Sequence, residues 1–354
     1  MKHILRSFTG VVAAVLGGMS AIVPVVAAEK AASTTVIRVG HFPNVTHAQG
    51  VIAHGLSRAE KGWFEERLGP DVEVQWFVYN AGPSAMEAIF ARSVDLTYVG
   101  PNPAINAYLK SQGEEIRIVA GACSGGAALV VQPDGRIKTD ADFKGKRIGT
   151  PQLGNTQDVA CRAWLRSKGL RITMTGGDAF VIPTANPDQL TLFQKGDLDA
   201  VWTVEPWVSR LVLQANGKVY FDESSLWKQT GGKYVTTHLV SSVKFLKDRP
   251  DLLKKWIAAQ VELTKWINDH PDEAKRIFNE EIKAETTRAL PQATLDSAWK
   301  RLEITYDPVS ASLLKSAEDA SRIGFLNENP DLSRIYDLRL LNEVLKEKGL
   351  PEVK

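Results

Sequence analysis

Val99-Gly-Pro-Asn-Pro-Ala104 decides the fold: a β-run ends at a Gly/Pro/Asn corner, and a helix opens in the same turn. Four further stretches share the design. They are Phe42-Pro-Asn-Val-Thr-His-Ala-Gln49, Asn80-Ala-Gly-Pro-Ser-Ala-Met-Glu87, Pro151-Gln-Leu-Gly-Asn-Thr-Gln-Asp158 and Val204-Glu-Pro-Trp207. A helix N-terminus offers unpaired N–H groups and the positive end of a dipole. Several of them at the carboxyl ends of parallel strands make an anion-binding cleft. None of the five corners contains Arg or Lys. An anion held there meets neutral donors and dipoles, which suits a group ionised at any relevant pH, such as a sulfonate or a sulfate ester.

Around these corners, short β-branched runs alternate with helix-period segments, the signature of βαβ units. Strands are expected at Val36–Gly40, Val72–Tyr79, Leu96–Gly100, Ile116–Ala120, Leu129–Gln132, Arg147–Thr150, Phe180–Pro183, Ala200–Val204 and Val235–Ser242. Helices are expected at Thr46–Arg67, Ser84–Ala91, Pro103–Ser111, Thr156–Lys168, Pro187–Gln194 and Pro206–Gln214. After Ser242 the chain is mostly amphipathic helix, broken at Pro250, Pro271, Pro291, Pro308 and Pro330. Gly121-Ala-Cys-Ser-Gly-Gly126 is too glycine-rich for a packed element, and Thr230-Gly-Gly232 is its counterpart further on. Both read as crossovers between lobes. The plan is α/β in two lobes: residues 29–121 and 233–354 form the first, with a helical C-terminal part, and 122–232 the second.

Capping chemistry is expected at the corners. Thr46 with Gln49, Ser84 with Glu87 and Asn155 with Asp158 fit capping boxes, the last weakest because Asp is short. Asn102 and Asn186 each precede a Pro at the first helical position.

Of 354 residues, 43 are Lys or Arg and 41 Asp or Glu. Lys2 and Arg6 precede an apolar run from Phe8 to Val26, and Val26-Ala-Ala28 ends in small residues. Residues 1–28 read as a secretory signal cut after Ala28, and no cysteine lies at that site to take a lipid. The mature chain then carries 41 basic against 41 acidic residues. A neutral chain without a basic run argues against nucleic acid or an acidic membrane as partner. Cys123 and Cys161 are the only cysteines; two buried free thiols are expected, a single bridge being the alternative.

His47 and His54 could share a helix face, but no acid joins them locally and no zinc-type spacing is present, so no metal site and no cofactor are expected. His47 and His238 are read instead as hydrogen-bond partners for a ligand. Glu205 is ambiguous. Facing the cleft, it would pair with an ammonium group and favour an aminosulfonate; starting its helix, it would point elsewhere. Trp202 and Trp207 either wall an apolar ligand tail or belong to the core. The chain has no Gly-Lys-Ser/Thr phosphate loop, no Gly-x-Gly-x-x-Gly after a strand and no Gly-x-Ser-x-Gly elbow, and it is not expected to be an enzyme.

In order along the chain, Gly40-His-Phe-Pro-Asn-Val-Thr-His47, Ala81-Gly-Pro-Ser-Ala-Met-Glu-Ala88, Tyr98-Val-Gly-Pro-Asn-Pro-Ala-Ile-Asn-Ala107, Gly149-Thr-Pro-Gln-Leu-Gly-Asn-Thr-Gln-Asp158 and Trp202-Thr-Val-Glu-Pro-Trp207 carry a resemblance. The chain resembles periplasmic substrate-binding proteins of ABC importers, in the branch for aliphatic sulfonates, sulfate esters, taurine and nitrate, with the sulfonate subgroup most similar. The resemblance implies a type II two-lobed binding protein, two crossovers, hinge closure over the ligand and delivery to a permease with cytoplasmic ATPase subunits. It implies a monomer in the periplasm. By position in the matching motifs, it places Asn44, His47, Gly82, Ser84, Pro101 and Asn102 on the first lobe and Gly125 and Gly126 at the crossover. Asn155, Thr156 and Gln157 come from the second lobe, with Glu205 and Trp207 facing them, and Thr237 and His238 at the return. One relative in this branch is an enzyme of thiamine-pyrimidine synthesis with a cysteine-rich motif, which Cys123 and Cys161 cannot supply. The rivals are a taurine or a nitrate/bicarbonate binder of the same family and a periplasmic hydrolase.

Overall fold

A computed structural model describes residues 34–328 and 330–354; the expected signal segment, 1–28, lies outside the described residues. Residues 34–354 form one unit. No helix among the described residues is long and apolar enough to cross a membrane. The chain opens with β1 (Thr35–His41), a 3-10 turn at Val45–His47, α1 (Ala48–Arg58), α2 (Trp63–Leu68), β2 (Val72–Val78), α3 (Gly82–Phe90), β3 (Leu96–Val99), α4 (Pro101–Lys110) and β4 (Ile116–Gly125). It continues through β5 (Ala127–Val131), β6 (Arg147–Thr150), α5 (Thr156–Ser167), β7 (Phe180–Pro183), α6 (Asn186–Gln194), β8 (Ala200–Val204), α7 (Trp207–Ala215) and β9 (Lys218–Asp222). It then returns as β10 (Val235–Ser242), α8 (Val243–Asp248), α9 (Pro250–Asp269), α10 (Pro271–Thr286), α11 (Gln292–Trp299), β11 (Leu302–Ile304), α12 (Ser310–Arg322) and α13 (Arg339–Glu347).

Two sheets result, ordered β11-β4-β10-β3-β1-β2 and β7-β6-β8-β5-β9. In the first, β2, β1 and β3 run parallel and β10 lies antiparallel between β3 and β4. In the second, β7, β6 and β8 run parallel and β5 is antiparallel to β8. The same plan therefore occurs twice: three parallel strands with helices at their carboxyl ends, closed by antiparallel neighbours. Each sheet has apolar clusters on it. Ile37, Val39 and Leu96 pack against Trp256 and Ile257 of α9, while Ile148 and Trp202 pack against Trp164 and Leu165 of α5. α12 packs on both α4 and α5 and so touches both halves.

Several expectations are corrected. Gly121–Gly125 is not a loose segment: it is the end of β4, paired with β10 and β11. Its glycine serves close approach, since a Cβ on Gly121 would lie 2.1 Å from the Asp307 carbonyl oxygen. The helix expected over Thr46–Arg67 is broken after Arg58, where Glu60 takes a left-handed φ of 56° and Gly62 precedes α2. β9 and β11 were not anticipated. None of the three expected capping boxes closes in full, though Asn155 does cap α5. Its side chain accepts the Gln157 amide at 2.9 Å, while Asp158 reaches the Gly154 N–H at 3.0 Å. Asp158 is held for this by Thr150 Oγ1 at 2.9 Å and by Arg162 at 3.1 Å. Gln49 instead donates to the Ala122 carbonyl, and neither Ala81 ahead of α3 nor Asn44 makes a side-chain cap. Asn102 and Asn186 sit inside their helices, with Gly100 and Ala185 at the cap positions. Cys123 and Cys161 are buried free thiols.

Candidate anion site between the two sheets

The carboxyl ends of β1, β2, β3, β6, β7 and β8 each lead into a helical start, and all six place residues around one cavity of about 30 Å3. Asn44 and His47 follow β1, Asn80 and Gly82 follow β2, and Gly100 follows β3. Asn155, Thr156 and Gln157 face them from α5, with Asn186 at the start of α6. Val204 and Thr236 complete the wall together with Phe42, Thr46, Pro103 and Pro151. The volume is that of one water. The walls approach so closely because of glycine: a Cβ on Gly100 would lie 2.5 Å from Thr156 Oγ1, and one on Gly82 would lie 2.3 Å from Pro103 Cγ. Trp207 Nε1 donates to Asn44 Oδ1 at 3.1 Å, joining the two halves beside the cavity.

No residue lining this cavity is an acid, Lys or Arg. His47 is neutral, because complete burial pulls its pKa well below the usual histidine range and the nearby His41 lowers it further. The Phe42 N–H points at His47 Nδ1 at 3.4 Å, so Nδ1 accepts and the proton resides on Nε2. Thr156 Oγ1 is buried without a hydrogen-bond partner. The cavity therefore offers amide, hydroxyl and imidazole donors at helix starts, a set matched to an oxyanion.

Asn44, Asn80 and Asn186 also border a second, larger cavity of about 650 Å3. Its walls are Trp207, Pro187, Ile282, Leu290 and Pro291, with Arg210 and Arg288 among them. The Arg210 guanidinium lies over the Trp207 ring, 4.4 Å from its centroid. Burial, reinforced by the charge of Arg288, holds Arg210 below its ordinary pKa.

Of the expected site residues, Asn44, His47, Gly82, Asn155, Thr156 and Gln157 line the small cavity and Trp207 the larger one. The others do not. Ser84 lies within the first turn of α3, and Pro101 opens α4. Asn102 Nδ2 donates to the Ser316 carbonyl and so ties α4 to α12. Gly125 and Gly126 take φ of 83° and spend their amides on the Tyr234 and Arg301 carbonyls. Glu205 points away: it accepts from Ser209 N at 3.0 Å and Oγ at 2.9 Å and pairs with Arg301 at 3.2 Å. Burial raises its pKa to about 7, against the pull of these donors. Thr237 turns away from the wall that Thr236 forms, as alternate strand residues do. His238 is buried on the Pro308 carbonyl and the Tyr336 hydroxyl, its pKa lowered to about 3 by desolvation. Trp202 is core. Asn80, Asn186 and Thr236 were overlooked as site residues. Asn80 begins a quoted corner, and Asn186 carried a signal that was read as a cap.

Two α/β halves with helix starts meeting over a cleft define the periplasmic binding-protein architecture. The chain belongs to the NMT1-like family, whose pattern matches residues 30–280. It is 23% identical over 300 residues to a Bacillus subtilis (strain 168) protein named for binding aliphatic sulfonates, covering 82% of this chain and 85% of that one. Among solved structures, it is similar to the nitrate-binding protein NrtA of Synechocystis PCC 6803, with a TM-score of 0.73, 17% identity and 90% of each chain covered. It is also similar to the alkanesulfonate-binding protein SsuA of Xanthomonas axonopodis pv. citri bound to MOPS, with a TM-score of 0.65, 18% identity, and 85% of this chain and 96% of that one covered. The desulfurization enzyme DSZB shares the fold too, with a TM-score of 0.59, 16% identity, and 89% of this chain and 99% of that one covered.

Proposed function

We propose that the chain is a periplasmic solute-binding protein that captures an aliphatic sulfonate or sulfate ester between its two sheets and delivers it to an ABC importer. The observation that carries this reading is the pairing of cavities: a small, uncharged, donor-lined one at the helix starts and, beside it, a larger one in which Trp207, prolines and aliphatic side chains alternate with Arg210, Arg288 and Glu285. The oxyanion head fits the chemistry of the first and an alkyl or aryl tail that of the second. A bare nitrate or bicarbonate would leave the larger cavity unused. Because the inner cavity as it stands has room for one water, the head enters with the halves apart, and closure over it stops at a wider separation than this one. Closure strips water from the anion, so each oxygen must find an N–H or O–H. With Glu205 turned to Ser209 and Arg301, no carboxylate in the inner cavity selects for an ammonium group.

The protein acts as a monomer, exported by its N-terminal segment, and it binds without reacting. The test is a thermal-shift panel on the ligand-free mature chain with methanesulfonate, longer alkanesulfonates, an aryl sulfate, taurine, sulfate, nitrate and bicarbonate. Stabilisation that grows with tail length supports the proposal. A shift with nitrate or bicarbonate alone overturns it in favour of the rival binder, and release of sulfate or sulfite by the pure protein overturns the non-enzymatic reading.

A further inference from the structure

Behind the first corner of the cleft, three side chains from distant parts of the chain converge. His41 ends β1, His54 lies on α1 and Glu285 on α10. His41 Nε2 is 3.1 Å from Glu285 Oε1, His54 Nδ1 is 2.9 Å from the same oxygen, and the two nitrogens are 3.1 Å apart. Three ligand-type atoms thus form a nearly equilateral triangle. Tetrahedral zinc with bonds of about 2.0–2.1 Å sets its ligand atoms about 3.3 Å apart, so an ion placed over this triangle needs shifts of only a few tenths of an ångström.

Hydrogen bonding satisfies the trio only in part: Arg58 donates to His54 Nε2, so His54 Nδ1 carries a proton toward Glu285 Oε1, and it is the second carboxylate oxygen that is left over. The carbonyl oxygen of Phe42, 3.4 Å from His41 Nδ1, can only accept, so a proton sits on Nδ1 and Nε2 is the nitrogen turned to the trio. Nε2 faces both the carboxylate oxygen and His54 Nδ1, and His54 Nδ1 also lies 3.1 Å from Glu281 Oε1. The Glu285 side chain is 1% exposed, and its other oxygen, Oε2, is buried without a partner. Among the described residues no Lys or Arg pairs with Glu285, because Arg58 is spent on Glu281 at 2.8 Å. A buried carboxylate with a spare oxygen and two imidazoles aimed at it forms a setting that a cation at the centre would complete. The surroundings are those of a metal site as well. The His41 N–H to a backbone carbonyl fixes the ligand tautomer, and Trp76 packs beside both imidazoles, 5.7 Å from each. Glu285 also borders the larger cavity, which gives an ion its way in.

We propose that His41, His54 and Glu285 bind a divalent cation of the zinc class. Imidazole nitrogen with one carboxylate selects such an ion over calcium or magnesium. Coordination by His54 Nδ1 moves the remaining proton to Nε2, which releases Arg58 from its 3.2 Å contact there to serve Glu281 alone. The ion would pin α10 to β1 and α1 and so stiffen the wall behind Asn44 and His47.

The experiment takes the tag-free chain stripped with a chelator and titrates it with Zn2+ by calorimetry and with Co2+ by visible absorption. One equivalent of Zn2+, intense tetrahedral Co2+ bands and a raised melting temperature are expected. Glu285→Gln and His54→Ala should each weaken Zn2+ binding by more than about 100-fold, since even the groups behind a metal ligand are worth about 10- to 100-fold. His270→Ala, a change at an exposed histidine away from the trio, should leave it unchanged. The Co2+ spectrum of the unaltered chain reads the site even where a variant fails to fold. Absence of tetrahedral bands there, or Zn2+ affinity that survives Glu285→Gln or depends on His270, overturns the proposal.

Discussion

Thr156 places a hydroxyl in the closed cleft where no protein group satisfies it. Thr156→Val should therefore leave folding stability unchanged or slightly raised and weaken ligand binding by about 1–3 kcal/mol, the cost of an unmatched buried partner, as read by calorimetry. Ser84→Ala lies outside the lining and should bind normally; an equal loss there would remove the cavity from its role. Glu205 gives a pH prediction. Its folded pKa, about 7, stands above the ordinary 4.5, so between these values the folded state holds the proton that the unfolded state has lost. Stability then falls as pH rises from about 4.5 to 7, by about 3 kcal/mol when the full shift is counted. Glu205→Gln, which cannot ionise, should flatten this slope in urea melts across that range. An equally steep slope in the variant would assign the effect to another group. At this scale the sequence was a partial guide. Residues whose side chains turn inward at a corner were legible from the corner itself. One-residue alternation was not: Thr237 was chosen where Thr236 forms the wall, and Asn102 where Pro103 does, because the side that faces the cleft is set by the opposite sheet.

Helix starts carry the site, and each depends on short-range chemistry. Asn155→Ala removes the cap of α5 and should cost about 1 kcal/mol of stability in addition to its effect on binding. Gly100→Ala tests the approach of the two walls. Its methyl group would meet Thr156 Oγ1 at 2.5 Å and the Thr236 carbonyl oxygen at 3.4 Å, so the first sheet should fold while closure is obstructed. The expected outcome is a nearly unchanged melting temperature without ligand and a much smaller ligand-induced rise. A full ligand-induced rise would show that the bound halves stand far enough apart to clear the methyl group. The βαβ strands were legible because β-branched runs and Gly/Pro corners are local signals. β9 was missed because Lys218 and Asp222 bracket only three strand-favouring residues, and β11 because three residues carry no periodicity. The break between α1 and α2 falls in the largely exposed polar stretch Arg58-Ala-Glu-Lys-Gly62, where Glu60 takes a left-handed φ of 56° and the Lys61 N–H turns back to the Leu56 carbonyl; Gly62 was the local signal for it.

Two sheets, each backed by its own clusters and with α12 packed on both halves, would make the proposed closure a motion of halves rather than of loops. Ligand at about 100 times its dissociation constant should stabilise the whole by about 2.7 kcal/mol. Small-angle scattering should show a smaller radius of gyration with ligand than without, and an unchanged radius would argue for a cleft closed in both states. The segment that forms the second sheet leaves the first at Gly125 and comes back at Tyr234, and these points touch: the Gly125 N–H donates to the Tyr234 carbonyl at 3.1 Å and the Ala127 N–H to the Tyr234 hydroxyl at 3.0 Å. A stretch whose entrance and exit are neighbours behaves as a cassette. A cassette from a relative set in its place should exchange one half of the binding surface and keep the other, provided it preserves the packing of α5 on α12; a chimera that fails to fold would show that this packing ties the segment to its host.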